Sequence, residues 1–210
     1  MAGKSMLIKE VLRFRRQLFT TEYQNIYYCM PEGPLNTGTQ RYIAELKQLC
    51  PGLQILEDLP SMELMRSSEL PKLFILDDLM QQIFASPVME QLFTAASHHF
   101  SNSIIFTMQN YYSSKKDLTI QRNLTYRIIF QKSGELRYMR SISSQFSTDA
   151  NFLDKCFALL DEEESPNSGV DNKFVLFDGH PQAPLRQFPV RGMILPRKDG
   201  EIRPILFSHI

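Results

Sequence analysis

The sequence predicts an α/β protein in which a mostly parallel sheet is flanked by helices. Apolar runs alternate with helical patterns along the chain, which is typical of this class. The run at 73–76 (LFIL) shows no polar alternation, as expected for a strand that is buried on both faces. Composition agrees, because 43% of the 210 residues are hydrophobic and only 9 are Gly and 12 are Pro. This excludes collagen-like and wholly disordered chains, and we expect one domain over residues 1–210.

The first third of the chain predicts helices that alternate with short strands. Residues 5–18 place apolar side chains at helical spacing without Gly or Pro, which predicts a helix. Aromatic and β-branched residues at 25–29 (NIYYC) predict a strand that runs into a loop rich in Pro and Gly. The remaining predictions here are a helix over 39–50, a strand over 53–56 and a short helix over 61–67.

The rest of the chain predicts further buried strands. Residues 73–78 (LFILDD) and 103–108 (SIIFTM) each read as a strand covered on both faces, and the stretch 79–99 between them is helical with a break at Ser86-Pro87. The later predictions are two more such strands over 126–131 and 173–178, a helix over 151–162, a mobile segment over about 163–172 and a Pro-rich, mostly extended tail over about 181–210.

Charge and cysteine content limit which partners and which cellular environment fit the chain. The 23 basic and 23 acidic residues cancel, but the stretch 111–140 holds seven basic residues against two acidic ones. This stretch is either a polyanion-binding surface, with Lys115 and Lys116 as candidate DNA contacts, or a solvated face paired with the acidic run 161–164. Three scattered cysteines predict reduced thiols. The sequence has neither a long apolar run nor a signal-peptide pattern, so we expect an intracellular protein without a membrane partner.

The chain opens with Gly3-Lys4-Ser5 at the head of the first predicted helix. These residues match the second half of a Walker A loop, in which backbone amides and the lysine bind phosphates and the hydroxyl binds Mg²⁺. The alternative interpretation is an ordinary helix start with Ser5 as the N-cap.

Polar side chains follow two of the predicted buried strands. Asp77 and Asp78 end the run LFILDD, which is the Walker B arrangement: one carboxylate holds the metal ion and the next acts on the attacking water. The alternative is that the two aspartates cap the next helix. Gln109 follows SIIFTM, where an amide can orient a water or sense a γ-phosphate; the alternative is a loop residue bonded to backbone.

Several segments then stand in one order over nearly the whole chain. They are GKS, NIYYC, LFILDDLM, SHHFSNSIIFTMQN and KFVLFDGHP followed by VRGMILP. The series resembles the packaging ATPases of the FtsK-HerA superfamily, in particular those of Polinton or Maverick elements, adintoviruses and related small DNA viruses. The resemblance implies a RecA-like P-loop NTPase that forms a homo-oligomeric ring and hydrolyses ATP to drive double-stranded DNA into a capsid. It further implies a capsid or portal protein as partner, and the nucleus or virion assembly site as location.

The resemblance implies a role for each matching residue. Gly3, Lys4 and Ser5 bind the nucleotide, and Ser5 with Asp77 holds Mg²⁺. Asp78 polarises the water, and Gln109 couples the γ-phosphate to movement. The candidates for a trans-acting arginine finger are Arg122, Arg140 and Arg191.

The sequence departs from the family at three places. One is the N-P-R-D-like turn after the third strand, which reads KSGE at 132–135. The segment 118–123 reads LTIQRN where the family has an R-T-I-S-L-N-like sequence, which displaces Arg122. The first strand and the front of the phosphate loop have no counterpart after Met1, so we expect a longer gene product or a decayed or domesticated copy. A missing strand would leave ladder groups unpaired at about 1–3 kcal/mol each, so we expect the given chain to fold poorly alone. Two alternative functions remain open: a non-catalytic remnant of this fold, and a nucleic-acid-binding module that uses the stretch 111–140.

Overall fold

The computed structural model of the chain describes residues 3–67, 70–86, 102–108, 123–131, 136–144, 147–162, 174–180, 189–197 and 199–207. The chain divides into two compact units. Unit 1 comprises Met1–Phe14 and Thr125–Ile210, and unit 2 comprises Arg15–Leu124. Unit 1 begins with helix α1 (Gly3–Arg13). The expectation of a single domain over residues 1–210 stays a prediction, because compact units can share one domain.

Unit 2 is built on a four-stranded parallel sheet. Its described elements, in chain order, are α2 (Arg15–Leu18), β1 (Asn25–Met30), α3 (Thr37–Leu49), β2 (Leu53–Glu57), α4 (Met62–Arg66), β3 (Lys72–Leu76), α5 (Met80–Ala85) and β4 (Asn102–Phe106). The strand order is β2-β1-β3-β4, and every neighbouring pair is parallel. The predicted α/β class, with a parallel sheet flanked by helices, is confirmed for this unit.

Different helices cover the two faces of this sheet. On one face Tyr27 stacks on Phe74, with ring centroids 4.9 Å apart, in a core that includes Met65 of α4 and Ile83 of α5. On the other face Tyr28 meets Tyr42 of α3 edge-on. Because both faces are covered, all four apolar residues at 73–76 are 0% exposed. The continuous apolar run of β3 therefore reflects burial on both sides, as predicted.

Side-chain caps set where two of the predicted helices begin. The carboxamide oxygen of Asn36 accepts a hydrogen bond of 2.9 Å from the amide of Thr39 at the start of α3. The hydroxyl of Ser61 accepts one of 3.1 Å from the amide of Leu64 at the start of α4. Each cap satisfies an amide that has no partner within its helix.

The predicted helix over 5–18 is interrupted in the structure. Helix α1 ends at Arg13 and α2 begins at Arg15. The interruption falls at the boundary between the two units. Arg15 donates a hydrogen bond of 3.3 Å to the carbonyl of Leu49 within unit 2, so the two helices pack with different parts of the chain.

Unit 1 contains an antiparallel sheet. Its described elements after α1 are β5 (Tyr126–Phe130), α6 (Leu136–Ser143), α7 (Phe152–Glu162), β6 (Phe174–Asp178), β7 (Val190–Gly192) and β8 (Ile205–Phe207). The strand order is β5-β6-β7-β8, and every neighbouring pair is antiparallel. The sequence pattern placed 126–131 and 173–178 among the strands of the parallel sheet, which is wrong. An apolar run carries no information about strand direction, because direction depends on the path of the connecting chain.

One face of the antiparallel sheet is buried and the other is partly open. Ile129 and Val175 pair on the buried face, whereas Tyr126 and Ile128 of β5 are exposed. Helix α7 packs so closely on the buried face that a Cβ at Gly192 would lie 2.6 Å from a methyl carbon of Leu160. Strand β5 is therefore not buried on both faces, in contrast to its prediction.

Other predictions concern the ends of unit 1 and the cysteines. The segment predicted to be mobile, 163–172, lies outside the described residues. The tail after 181 includes β7 and β8, which are extended as expected. All three cysteines are free and buried, and burial raises the pKa of Cys29 and of Cys156 to about 12. These two thiols therefore stay protonated and unreactive. Within the described ranges no helix has the length and apolar character needed to cross a bilayer.

Candidate functional site

The order of the parallel strands places a crevice beside β3. The chain passes from β1 to β2 on one side of the sheet and then crosses to β3 on the other side of β1. Such a reversal is a topological switch point, and ligands of open α/β sheets bind there, outside the carboxyl ends of the strands. Asp77 and Asp78 directly follow β3, and Thr107 directly follows β4. These residues therefore stand at the edge of the sheet where this fold class binds ligands.

Asp77 is anchored by hydrogen bonds to both neighbouring strands. Its backbone amide donates to the carbonyl of Cys29 at 2.9 Å, which extends the ladder between β1 and β3 by one step. One carboxylate oxygen accepts a hydrogen bond of 2.8 Å from the hydroxyl of Thr107. The other oxygen accepts a short hydrogen bond from the hydroxyl of Tyr28 in β1. Two neutral hydroxyls therefore fix the orientation of this carboxylate.

Thr107 connects the two aspartates. Its amide donates to the carbonyl of Leu76 at 3.0 Å, so its backbone is held against β3. Its hydroxyl donates to Asp77 and accepts a hydrogen bond of 3.1 Å from the backbone amide of Asp78. The threonine hydroxyl uses its donor and one acceptor position to lock the turn after β3.

Asp78 has an unusual backbone conformation. Its φ is +57°, in the left-handed region that residues other than Gly seldom adopt. Such a conformation costs roughly 1–2 kcal/mol and recurs at functional sites. The residue is exposed, so its carboxylate is accessible to solvent at the same edge as Asp77.

The alternative role of the two aspartates is to cap the following helix, and neither of them is its N-cap residue. The N-cap residue of α5 is Leu79, and no side-chain hydrogen bond caps this helix. The first turn of α5 contains no acidic residue.

Burial keeps the tyrosine donors neutral. Tyr28 and Tyr42 are 4% and 5% exposed, and their rings meet at 6.0 Å with an interplanar angle of 67°. Burial, and then the negative charge of Asp77, raises the pKa of Tyr28 above its usual range, and the same two causes raise the pKa of Tyr42. The two hydroxyls also share a hydrogen bond. Tyr28 therefore acts as a permanent donor to Asp77.

The donor set suits a magnesium ion that arrives with a nucleotide. Carboxylate oxygens are hard ligands, and Mg²⁺ is usually held by one or two carboxylates together with waters and substrate phosphates. Among the described residues there is no cluster of three or more His, Cys, Asp or Glu side chains that would hold a metal by itself. Asp77 and Asp78 fit a magnesium site in which the protein supplies few ligands and the substrate phosphates supply the rest.

The predicted phosphate-binding residues lie in unit 1. Gly3, Lys4 and Ser5 form the first turn of α1, where Gly3 is buried and the other two are half-buried. They are helical, as predicted for a segment that heads the first helix. Asp77 belongs to unit 2, so the predicted meeting of Lys4 and Asp77 around one nucleotide stays a prediction.

The two described arginine-finger candidates have different environments. The guanidinium of Arg191 forms an ion pair of 2.8 Å with Asp178, and these side chains are only 16% and 4% exposed. Arg140 is exposed on α6 and donates to the side chain of Asn151 at 3.2 Å. A finger must reach a nucleotide on a neighbouring subunit, which suits exposed Arg140 better than Arg191. The remaining predicted residues, Gln109, Arg122, Lys115 and Lys116, lie outside the described residues.

Sequence reasoning did not single out three residues of this cluster: Tyr28, Tyr42 and Thr107. Thr107 had a usable signal, since it is a hydroxyl residue at the end of the strand predicted next to Gln109. The tyrosines had none, because aromatic residues in a strand or helix usually belong to the core. No family model, no curated protein and no solved structure matches the chain.

Proposed function

We propose that this chain is the ATPase of a DNA-packaging motor, with ATP and Mg²⁺ as its substrate complex. The observation that carries the proposal is the pair Asp77-Asp78 at the carboxyl end of a fully buried parallel strand, beside the switch point of the sheet. One carboxylate is anchored by two hydroxyls, whereas the next is exposed. This is the division of roles that a Walker B strand requires.

The chemistry follows from the different environments of the two aspartates. When bound with ATP, Mg²⁺ neutralises charge on the phosphate oxygens. Asp77 suits the metal because its orientation is fixed, and each of its oxygens has a second lone pair beyond the one that accepts a hydroxyl. Asp78 suits the attacking water because it is exposed and ends the strand one residue further on. Lys4 and Ser5 complete this proposal as the phosphate and metal contacts that the resemblance implies.

The motor part of the proposal is supported by the resemblance. It assigns double-stranded DNA as the transported substrate, a capsid or portal protein as the docking partner and a homo-oligomeric ring as the working form. A nuclear or virion-assembly location belongs to the same proposal. The specific support comes from the segments LDDLM and IIFTMQN, which occur in the family order.

The proposal is tested with an Asp78→Asn variant of the purified protein. We expect kcat for phosphate release from ATP to fall by about 10²–10⁴-fold, the usual range for a lost general acid or base. Binding of a fluorescent ATP analogue should stay within about 3-fold of the wild type, because the metal carboxylate is retained. Both quantities are measured with and without linear duplex DNA.

Asp58→Asn is the matched control. Asp58 is also an exposed aspartate with positive φ (+74°) after a parallel strand, but it follows β2 at the sheet edge. It should retain the wild-type rate. Undiminished turnover in Asp78→Asn, or an equal loss in Asp58→Asn, would remove the assignment of Asp78. Failure of the wild type to bind or hydrolyse ATP would overturn the proposed function as a whole.

A further inference from the structure

We infer that the hydroxyls of Tyr28 and Thr107 are the positioning groups that give Asp77 its metal-binding orientation. This inference rests on the proposed function, since it concerns the same magnesium site. It adds two residues that act through Asp77 and that do not themselves touch the metal or the nucleotide. Tyr28 is the less expected of the two, because it lies inside a strand that reads as core.

The geometry gives each hydroxyl its own carboxylate oxygen. Thr107 donates to Oδ1 at 2.8 Å, and Tyr28 donates to Oδ2. Tyr28 lies in β1 and Thr107 directly follows β4, and these two strands flank β3 on either side. Tyr28 is paired in register with Ile75, so its long side chain reaches two residues further along β3. A carboxylate held from both sides has little freedom to rotate.

Neutral donors have a specific advantage at a metal site. A lysine or arginine in the same place would orient Asp77 but would also cancel the charge that attracts a cation. Hydroxyls hydrogen-bond to the charged carboxylate and leave its net charge intact. Each also occupies one lone pair of its oxygen and leaves the other for an ion or its water. The arrangement matches the outer hydrogen bonds that orient metal ligands in proteins generally.

Tyr42 supports Tyr28 from α3. Its ring contacts that of Tyr28 at 6.0 Å, and the two hydroxyls share a hydrogen bond. Both rings are almost fully buried. The position of the Tyr28 hydroxyl is therefore determined by packing between the sheet and α3.

The test measures binding of the Mn²⁺ complex of a non-hydrolysable ATP analogue by its electron paramagnetic resonance signal, and then ATP hydrolysis at varied Mg²⁺ concentration. We expect Tyr28→Phe and Thr107→Val each to weaken Mn²⁺ binding by about 10–100-fold, the usual loss when an outer partner of a metal ligand is removed. The Mg²⁺ concentration for half-maximal turnover should rise by a similar factor. Turnover at saturating Mg²⁺ should change much less in Tyr28→Phe, because the Tyr28 hydroxyl bonds to Asp77, whereas Thr107 also accepts a hydrogen bond from the amide of Asp78.

Tyr27→Phe is the matched control. Tyr27 is the neighbouring tyrosine in β1 and is equally buried, but it faces the opposite side of the sheet and stacks on Phe74. This variant also removes a tyrosine hydroxyl, but on the opposite face of the sheet from Asp77. Mn²⁺ binding should therefore stay within about 2-fold of the wild type. A double-mutant cycle with Asp77→Asn adds a readout that general destabilisation would not reproduce: Tyr28→Phe should have no further effect on metal binding once Asp77 is changed.

The outcomes separate the inference from the function on which it depends. If the wild type binds Mn²⁺ and hydrolyses ATP but both Tyr28→Phe and Thr107→Val bind Mn²⁺ normally, the inference is overturned and the proposed function stands. If the wild type neither binds nor hydrolyses, both are overturned. Should Tyr28→Phe fail to fold, Thr107→Val carries the test by itself, because Val matches the shape of Thr and lacks only the hydroxyl.

Discussion

Two neighbouring aspartates differ in role because the backbone turns between them. Asp77 still belongs to the ladder, since its amide bonds to the carbonyl of Cys29, and its carboxylate points back to a buried tyrosine. Asp78 adopts positive φ and is exposed. Two adjacent residues thus provide one carboxylate with a fixed orientation and one that is accessible to solvent. At the residue scale, the site depends on this turn and on the hydroxyl of Thr107 that locks it.

Glu10 provides a prediction about pH at the residue scale. Its side chain is 2% exposed and pairs with Arg13 at 2.9 Å. Burial raises its pKa above the ordinary 4.5 and outweighs the opposing charges of Arg13 and Lys9. The folded form therefore binds a proton more tightly than the unfolded form, so the stability linked to Glu10 is complete below about pH 4.5 and is lost as the pH rises above that value.

Glu10→Gln should remove this loss. We expect the free energy of unfolding of the variant, relative to the wild type, to increase as the pH rises from 4 to 7, because Gln stays uncharged. Urea unfolding at several pH values measures it. Glu162→Gln, at an exposed position of α7, is the control for loss of a surface carboxylate. A relative stability that is flat or decreasing over this range would contradict the prediction.

At the element scale, an ion pair joins β6 to β7. The guanidinium of Arg191 donates to Oδ2 of Asp178 at 2.8 Å. The other carboxylate oxygen accepts a hydrogen bond of 3.0 Å from the backbone amide of His180. Asp178 is almost fully buried, and Arg191 supplies the opposite charge beside it. Loss of one partner leaves a buried charge uncompensated, which costs more than the pair contributes when intact.

Arg191→Met should therefore destabilise the protein by about 3–5 kcal/mol. The double variant Arg191→Met with Asp178→Leu should recover most of that loss, since an apolar pair of similar volume leaves no buried charge. Chemical denaturation gives both values. Arg203→Met is the control, because Arg203 pairs with Asp199 and Glu201 at an exposed site and its loss should change stability much less than that of Arg191. A single variant as stable as the wild type would contradict the argument and restore Arg191 as a finger candidate.

At the scale of the whole molecule, the residues predicted to contact the nucleotide belong to two different units. The GKS segment opens α1 of unit 1, and the aspartate pair follows β3 of unit 2. The assignment of Lys4 to phosphate therefore needs its own test, because it comes from the resemblance and not from the hydrogen bonds around Asp77.

Lys4→Ala should weaken ATP binding by roughly 10–100-fold, the equivalent of one charge-assisted hydrogen bond of about 1.5–3 kcal/mol. Lys9→Ala, which removes the same charge from the same helix, is the control and should bind ATP like the wild type. Equilibrium binding of a fluorescent ATP analogue provides the measurement. Equal affinities for Lys4→Ala and the wild type would show that the start of α1 is not a phosphate site.

Much of the fold was accessible from local patterns. Strand β3 and its terminal aspartates were predicted because an unbroken apolar run followed by two carboxylates is a property of six consecutive residues. Helices α3 and α4 were predicted within two residues of their ends from the helical pattern of their own residues. The separate antiparallel sheet was not predicted, because runs such as β5 and β6 fit either strand direction.

By itself, the sequence determined that Asp77 and Asp78 stand at the end of a strand covered on both faces. An unbroken run of apolar side chains indicates such burial. Only the tertiary structure decided which groups hold Asp77. Its partners Tyr28 and Thr107 lie 49 and 30 positions away along the chain. They meet it because β1 and β4 pair with β3 on either side. Strand order depends on how connections cross the sheet, and periodicity within a segment does not encode that crossing.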